Sequence, residues 1–359
     1  MHARAECRAQ HGVSKHARPS IRGLRPLLRA SAIWALFAAN VSGASADPVQ
    51  LKFAFPPPPT SWINTFGIAG WSKAVAEASG GAVEIKVFAG GAVANHRNVY
   101  DRVLNEVIDI GYGPFGEIND QFRRTEVSGL PFEVTNAREA SLALWRLIEN
   151  GTIAEEYARI KPITVFTLAP STLHTRAPVA RMDDLKGVKL AASSRFNSAY
   201  ATLLGATPIT VTNVETYAAI DRGMVGGTFL SVSGFMVFKL QEVAKYHLEV
   251  PFGASCAGFF MNKDIFARLP EASRRAIDAS SGEALAERLG RFADGQGTDD
   301  RARLAAMPGQ QFDRLDAAEA ARWKARLAPF VEEWVKATPD GAKVLAAFRA
   351  EIAKIRGGA

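Results

Sequence analysis

Cysteine is nearly absent: 359 residues contain two, Cys7 and Cys256. Cys7 falls in a leader described below, so the mature chain keeps one thiol and no disulfide framework. Stability must come from a packed core. Cys256 lies in the apolar run "PFGASCAGFF" and reads as a buried structural thiol, not a nucleophile. Histidine is also scarce. Beyond the leader there are His96, His174 and His247, none paired at metal-ligand spacing and none beside a cysteine or acid cluster. No metal site and no cofactor are therefore expected. The G-x-S-x-G elbow of α/β-hydrolases is missing, and so is the P-loop pattern. No stretch of about 18 apolar residues follows the leader, so the mature chain should not span a membrane.

What is present first is a targeting signal. Arg22, Arg25 and Arg29 form a basic segment, "ASAIWALFAANVSG" (30–43) is a short apolar one, and Ala44-Ser45-Ala46 precedes Asp47-Pro48. That is the pattern of a secretory signal peptide, cleaved after Ala46, and it places the mature protein in the periplasm. The leader also owns most of the excess charge. The chain has 43 basic and 36 acidic residues; taking away the leader's seven basic residues and one acid leaves 36 against 35. A net charge of +1 with no basic run offers nothing to nucleic acid.

The mature sequence of 313 residues suffices for two α/β lobes. "VQLKFAF" (49–55) alternates as a strand, "PPPPTSW" (56–62) is a stiff extended loop, and Trp62, Phe66, Trp71, Val75 and Ala78 fall on a helical stripe. Strand 83–91, helix 96–107 and strand 107–113 complete a β-α-β-α-β start. A helix over 138–150 and a strand over 163–169 follow. A second unit reads as strand 187–191, helix 196–204, strand 207–212, helix 213–222 and strand 225–230, with Thr212 and Glu215 forming a capping box. "CAGFFMN" (256–262) returns as a strand towards the first unit, and 269–307 is long and helical. The expected lobes are 47–170, completed by about 258–300, and 171–257, completed by about 301–359. Chain crossings near 168–172 and 255–258 are the expected hinge of a cleft.

One motif misleads. Gly111-Tyr-Gly113-Pro-Phe-Gly116 fits G-x-G-x-x-G, but Pro114 interrupts the turn and no acid stands at a following strand end. These glycines suit a tight loop whose backbone can approach a ligand. With no catalytic constellation, an exported two-lobe chain reads as a binding protein.

Several segments then carry a resemblance: "LKFAF", "DRVLNEVIDIGYGPF" (101–115), "DDLKGVKL", "LLGATPITVTNVETYAAIDRGMVGG" (203–227), "KLQEVAKYHLE" (239–249) and "FFMNKDIFARLPEASRRAID" (259–278). In this order the chain resembles the solute-binding proteins of TRAP (tripartite ATP-independent periplasmic) transporters, of the dicarboxylate-binding-subunit type. The resemblance implies a type II periplasmic-binding fold: two α/β lobes, an interdomain cleft and a long helix along both. It also implies a small-molecule ligand, usually an organic acid, and membrane subunits of a transporter as partners. It further implies an arginine at the end of "LKGLKIR" to grip the ligand carboxylate. Here that position is Ala191, and the acid of the usual "VDG" is Gly226. The polar pair that often follows falls near Phe229-Leu230. The ligand-binding residues expected are Trp62, Phe115, Glu117, Ser171, His174, Ser193, Arg195, Asn197, Phe229, Ser231 and Phe235. Arg195 is the first candidate to replace the missing charge. Two other readings stay open: a sensory binding protein docking on a receptor kinase, and an exported enzyme on the same scaffold.

Overall fold

The computed structural model describes residues 47–250 and 252–358. The leader, its cleavage site and Cys7 lie outside the described residues. The first strand, β1 (Val49–Phe55), runs into the proline loop. The following helix opens as a π-turn (Ile63–Ile68) before α1 (Ala69–Ala78). Next come β2 (Val83–Ala89), α2 (Val99–Leu104), β3 (Ile110–Pro114), α3 (Ala137–Glu149) and β4 (Ile160–Thr167). The chain then crosses to β5 (Thr172–Thr175), β6 (Lys189–Ala192), α4 (Arg195–Leu203), β7 (Thr207–Thr210), α5 (Thr216–Asp221), β8 (Gly227–Leu230), α6 (Val232–Val237) and β9 (Tyr246–Glu249). It returns through β10 (Cys256–Asn262), α7 (Lys263–Arg268), α8 (Glu271–Ala279) and α9 (Glu283–Ala305). The end is β11 (Gln311–Arg314), α10 (Ala317–Ala337) and α11 (Gly341–Gly357).

These strands form two sheets, ordered β2-β1-β3-β10-β4 and β11-β9-β5-β8-β6-β7. In the first, β1 is parallel to β2 and β3, and β10 enters antiparallel between β3 and β4. All seven residues of β10 are buried, which explains its continuous apolar sequence. In the second, β6 is parallel to β7 and β8, while β5 runs antiparallel to β8 and β9. The two α/β lobes expected from the sequence are these two sheets with their helices.

The helix α9 ties them together. Its 23 residues, about 34 Å at 1.5 Å per residue, pack on α3 and β4 of the first lobe and on α6 of the second. Gly290 permits the α3 contact: a Cβ there would lie 2.8 Å from the Arg138 backbone. One turn on, the Asp294 carboxylate accepts the α3 amides of Ala137 (2.7 Å) and Arg138 (3.0 Å). Asn136 caps the same helix by accepting from Glu139 N at 2.8 Å. The α3 start is thus fixed by its own cap and by a second helix.

Two crossing segments, between β4 and β5 and between β9 and β10, run side by side. Leu168 N donates to Ser255 O at 3.0 Å and Ser171 N to Gly253 O at 3.2 Å. The last helix, α11, packs against α3 and α10; Arg356 pairs with Glu139 and Arg146 with Glu351. Residues 341–357 therefore lean on the first lobe, although the sequence grouped them with the second. No helix of the described residues is long and apolar enough to cross a membrane.

Candidate functional site

A cavity of about 90 Å³ lies between the lobes. Small-molecule pockets usually enclose roughly 300–1,000 Å³, so this cleft is drawn closed around a small space. Its first-lobe wall comes from the β1 loop (Pro57, Ser61, Trp62, Ile63), from His96 after β2, and from β3 and its exit (Tyr112, Pro114, Gly116, Glu117). The second-lobe wall comes from the β6 exit and the first turn of α4 (Ser193, Ser194, Phe196, Asn197), from Asn213 after β7, and from Leu230, Val237 and Phe238. The crossing segments close its base with Leu168, Ser171 and Cys256. The loops therefore sit at carboxyl ends of parallel strands, where open sheets place their ligands.

One group of polar side chains in this wall is connected. Glu117, its side chain 4% exposed, accepts from Asn213 Nδ2 at 2.7 Å and meets His96 Nδ1 at 2.9 Å. A carboxylate only accepts, so the His96 proton is on Nδ1 and the Asn213 amide nitrogen faces Glu117. His96 Nε2 and Asn213 Oδ1 are then left buried without partners. Glu117 stands on the first lobe and Asn213 on the second, so their bond crosses the cleft.

A second bridge crosses beside it. The Arg195 guanidinium at the start of α4 contacts the Glu126 carboxylate and lies 3.7 Å from Asp120. Burial pushes the Glu126 carboxyl up to about 8, against the pull of Arg195. Burial likewise raises the Tyr112 and Tyr200 phenols and the Cys256 thiol, keeping all three neutral. No group of three or more potential metal ligands occurs among the described residues.

Of the side chains expected at the site, Trp62, Glu117, Ser171, Ser193 and Asn197 line the cavity, as do the neighbouring Ser194 and Phe196. Six others are placed elsewhere. Phe115 is buried against Phe122 and Tyr157 in the first lobe. His174 lies on β5, whose four residues are all buried; its Nδ1 meets His247 Nδ1 at 2.8 Å and its ring stacks on Phe235. Desolvation holds the His174 imidazole well below the usual histidine range. Phe229 packs on Tyr200 and Phe252. Ser231 caps α6 by accepting from Gly234 N. Arg195 opens on an outer groove with Asp120 and Thr212 and is engaged by Glu126. The Ala191 methyl joins an apolar cluster with Val211, Leu230 and Phe235.

The cavity residues not anticipated include His96, Tyr112, Glu126 and Asn213. His96 was visible as one of three histidines, but its turn precedes α2 and carries no local signal for a cleft. Asn213 sits inside the Thr212–Glu215 segment, where both Thr212 N and Oγ1 donate to Glu215 and local capping seemed to account for the polar residues.

Comparison with known proteins agrees with this arrangement. Residues 58–337 match the family described as "Bacterial extracellular solute-binding protein, family 7". The outer membrane transporter protein TsaT of Comamonas testosteroni is 27% identical over 296 residues, 80% of this chain and 86% of that protein. A marine-metagenome TRAP solute-binding protein specific for aromatic acids, crystallised with 3-hydroxybenzoate, superposes with a TM-score of 0.82 at 26% identity; the match covers 86% of this chain and 98% of that one. A TRAP solute-binding protein of Rhodoferax ferrireducens with copurified benzoate gives 0.82 at 26% identity, covering 87% and 100%. The chain belongs to family 7 of the bacterial extracellular solute-binding proteins.

Proposed function

We propose that the chain is the periplasmic receptor of a TRAP-type secondary transporter, exported by its leader, and that it captures a small organic acid without transforming it. The observation that carries the reading is the closed interlobe cavity, where the aromatic side chains of Trp62, Tyr112, Phe196 and Phe238 stand beside polar ones such as His96, Ser171 and Asn197. Such a wall favours a compact, partly apolar solute. Relatives of similar architecture hold 3-hydroxybenzoate and benzoate, which supports an aromatic monocarboxylate here. The membrane subunits of the transporter are the partners.

Mass spectrometry of small molecules released from the purified mature protein tests this, followed by calorimetry with benzoate and 3-hydroxybenzoate. The expected result is a copurified or added acid that binds in a 1:1 ratio and is recovered unchanged. Conversion of the bound acid to a product would overturn the receptor reading.

A further inference from the structure

The cavity must hold its solute without an arginine. Among the described residues, no lysine or arginine lines it. Its titratable groups are His96, Tyr112, Glu117, Glu126, Tyr200 and Cys256. The two phenols and the thiol are neutral, and the two glutamates are acids, so one group can become positive: His96. The His96 side chain is 5% exposed, with Nδ1 fixed on Glu117 and Nε2 buried without a partner. An ionised acid enclosed in a cleft needs a charged donor to offset its lost hydration. We propose that His96, protonated and held by Glu117, is the carboxylate-recognising residue of this cleft: Nε2–H donates to the acid group of the solute, a task that the family resemblance gives to an arginine at the position of Ala191.

The surroundings of the ring suit this role. Glu117 accepts the Nδ1 proton and balances the charge of an imidazolium. Asn213, from the other lobe, donates to the second oxygen of Glu117 and keeps that carboxylate from turning away. Tyr112 lies edge-on at 6.3 Å and Glu126 stands further along the same wall. Both neighbours are acids or neutral, so neither competes as a cation. The site therefore takes a monocarboxylate, with a single donor in place of the two-pronged grip of a guanidinium.

The inference rests on the receptor reading above, and the experiment separates the two. The full mature chain and its His96→Gln variant are titrated calorimetrically with benzoate, 3-hydroxybenzoate, benzamide and benzylamine. The expected result is that at least one carboxylate binds the wild type more tightly than benzamide does. His96→Gln should weaken that carboxylate about 10- to 100-fold while benzamide changes less than about threefold. Equal carboxylate affinity in the variant would overturn the role of His96 and leave the receptor reading standing. A wild type that takes benzamide or benzylamine but no carboxylate would overturn both. Nitrogen-15 spectra of the wild-type imidazole add a readout independent of the variant's folding. Protonation of both His96 nitrogens in the benzoate complex supports the assignment, and a neutral ring in that complex sinks it.

Discussion

At the scale of single residues, the position that sequence reasoning trusted most for charge contacts an acid of the first lobe. Arg195 was expected to reach the ligand because Ala191 removes the family arginine four residues earlier. In the folded chain it meets Glu126, an acid whose carboxyl burial pushes up to about 8 against the pull of Arg195. The two assignments make different predictions. If Arg195 serves Glu126, Arg195→Ala strands a buried acid and should weaken acid-ligand binding roughly tenfold; adding Glu126→Gln should restore most of it. If Arg195 touched the ligand, the second substitution would restore nothing. Calorimetry on the single and double variants decides. The expected residues that line the cavity, Trp62, Glu117, Ser171, Ser193 and Asn197, share one property. Each follows directly on a strand end or crossing that the hydrophobic pattern had located. His174 and Phe229 lie on β5 and β8, whose residues are all buried, and Phe235 is buried on α6, so a polar or aromatic side chain near a strand end need not face the cleft.

At the scale of elements, segments within the β-α-β alternation were legible, including the four-residue strands β6, β7 and β8. The strand limits 49–55 and 256–262 are those seen, and α3 and α4 fall within a residue or so of their expected spans. Missed were β5, β9 and β11, four-residue strands outside that alternation. The segment 269–307 read as one helical stretch, but Gly282 (φ +86°) divides it into α8 and α9. The junction of α9 with α3 also lay beyond sequence reasoning, because it joins residues 156 and 157 positions apart. Asp294 accepts two amides of the first turn of α3 and so acts as a cap supplied from another helix. Asp294→Ala should cost about 1–2 kcal/mol, within the range for lost caps, and lower the melting temperature by roughly 2–6 °C. Circular dichroism melts measure this directly. An unchanged midpoint would mean that Asn136 alone secures the α3 start.

At the scale of the whole molecule, the two lobes were visible as two groups of strands, and their closure rests on contacts that no local pattern announces. The bonds Glu117–Asn213 and Arg195–Glu126 both cross the cleft, while the backbone pairs Leu168–Ser255 and Ser171–Gly253 join the crossing strands. We expect the crossings to bend and the two bridges to break when the lobes part. Glu126 links that motion to pH. In the closed form its carboxyl is pushed up to about 8 by burial; in an open, hydrated cleft it should return towards the usual 4.5. The closed state then holds the proton more tightly. Its advantage from this group is complete below about 4.5 and is lost as pH rises through about 8. Small-angle scattering with benzoate should show a smaller radius of gyration at pH 6 than without it. The contraction should need more ligand at pH 9, and Glu126→Gln should remove the part of that pH difference that belongs to closure. A radius that benzoate leaves unchanged at pH 6, with binding confirmed by calorimetry, would mean that the solute enters without lobe motion and that the two bridges are permanent.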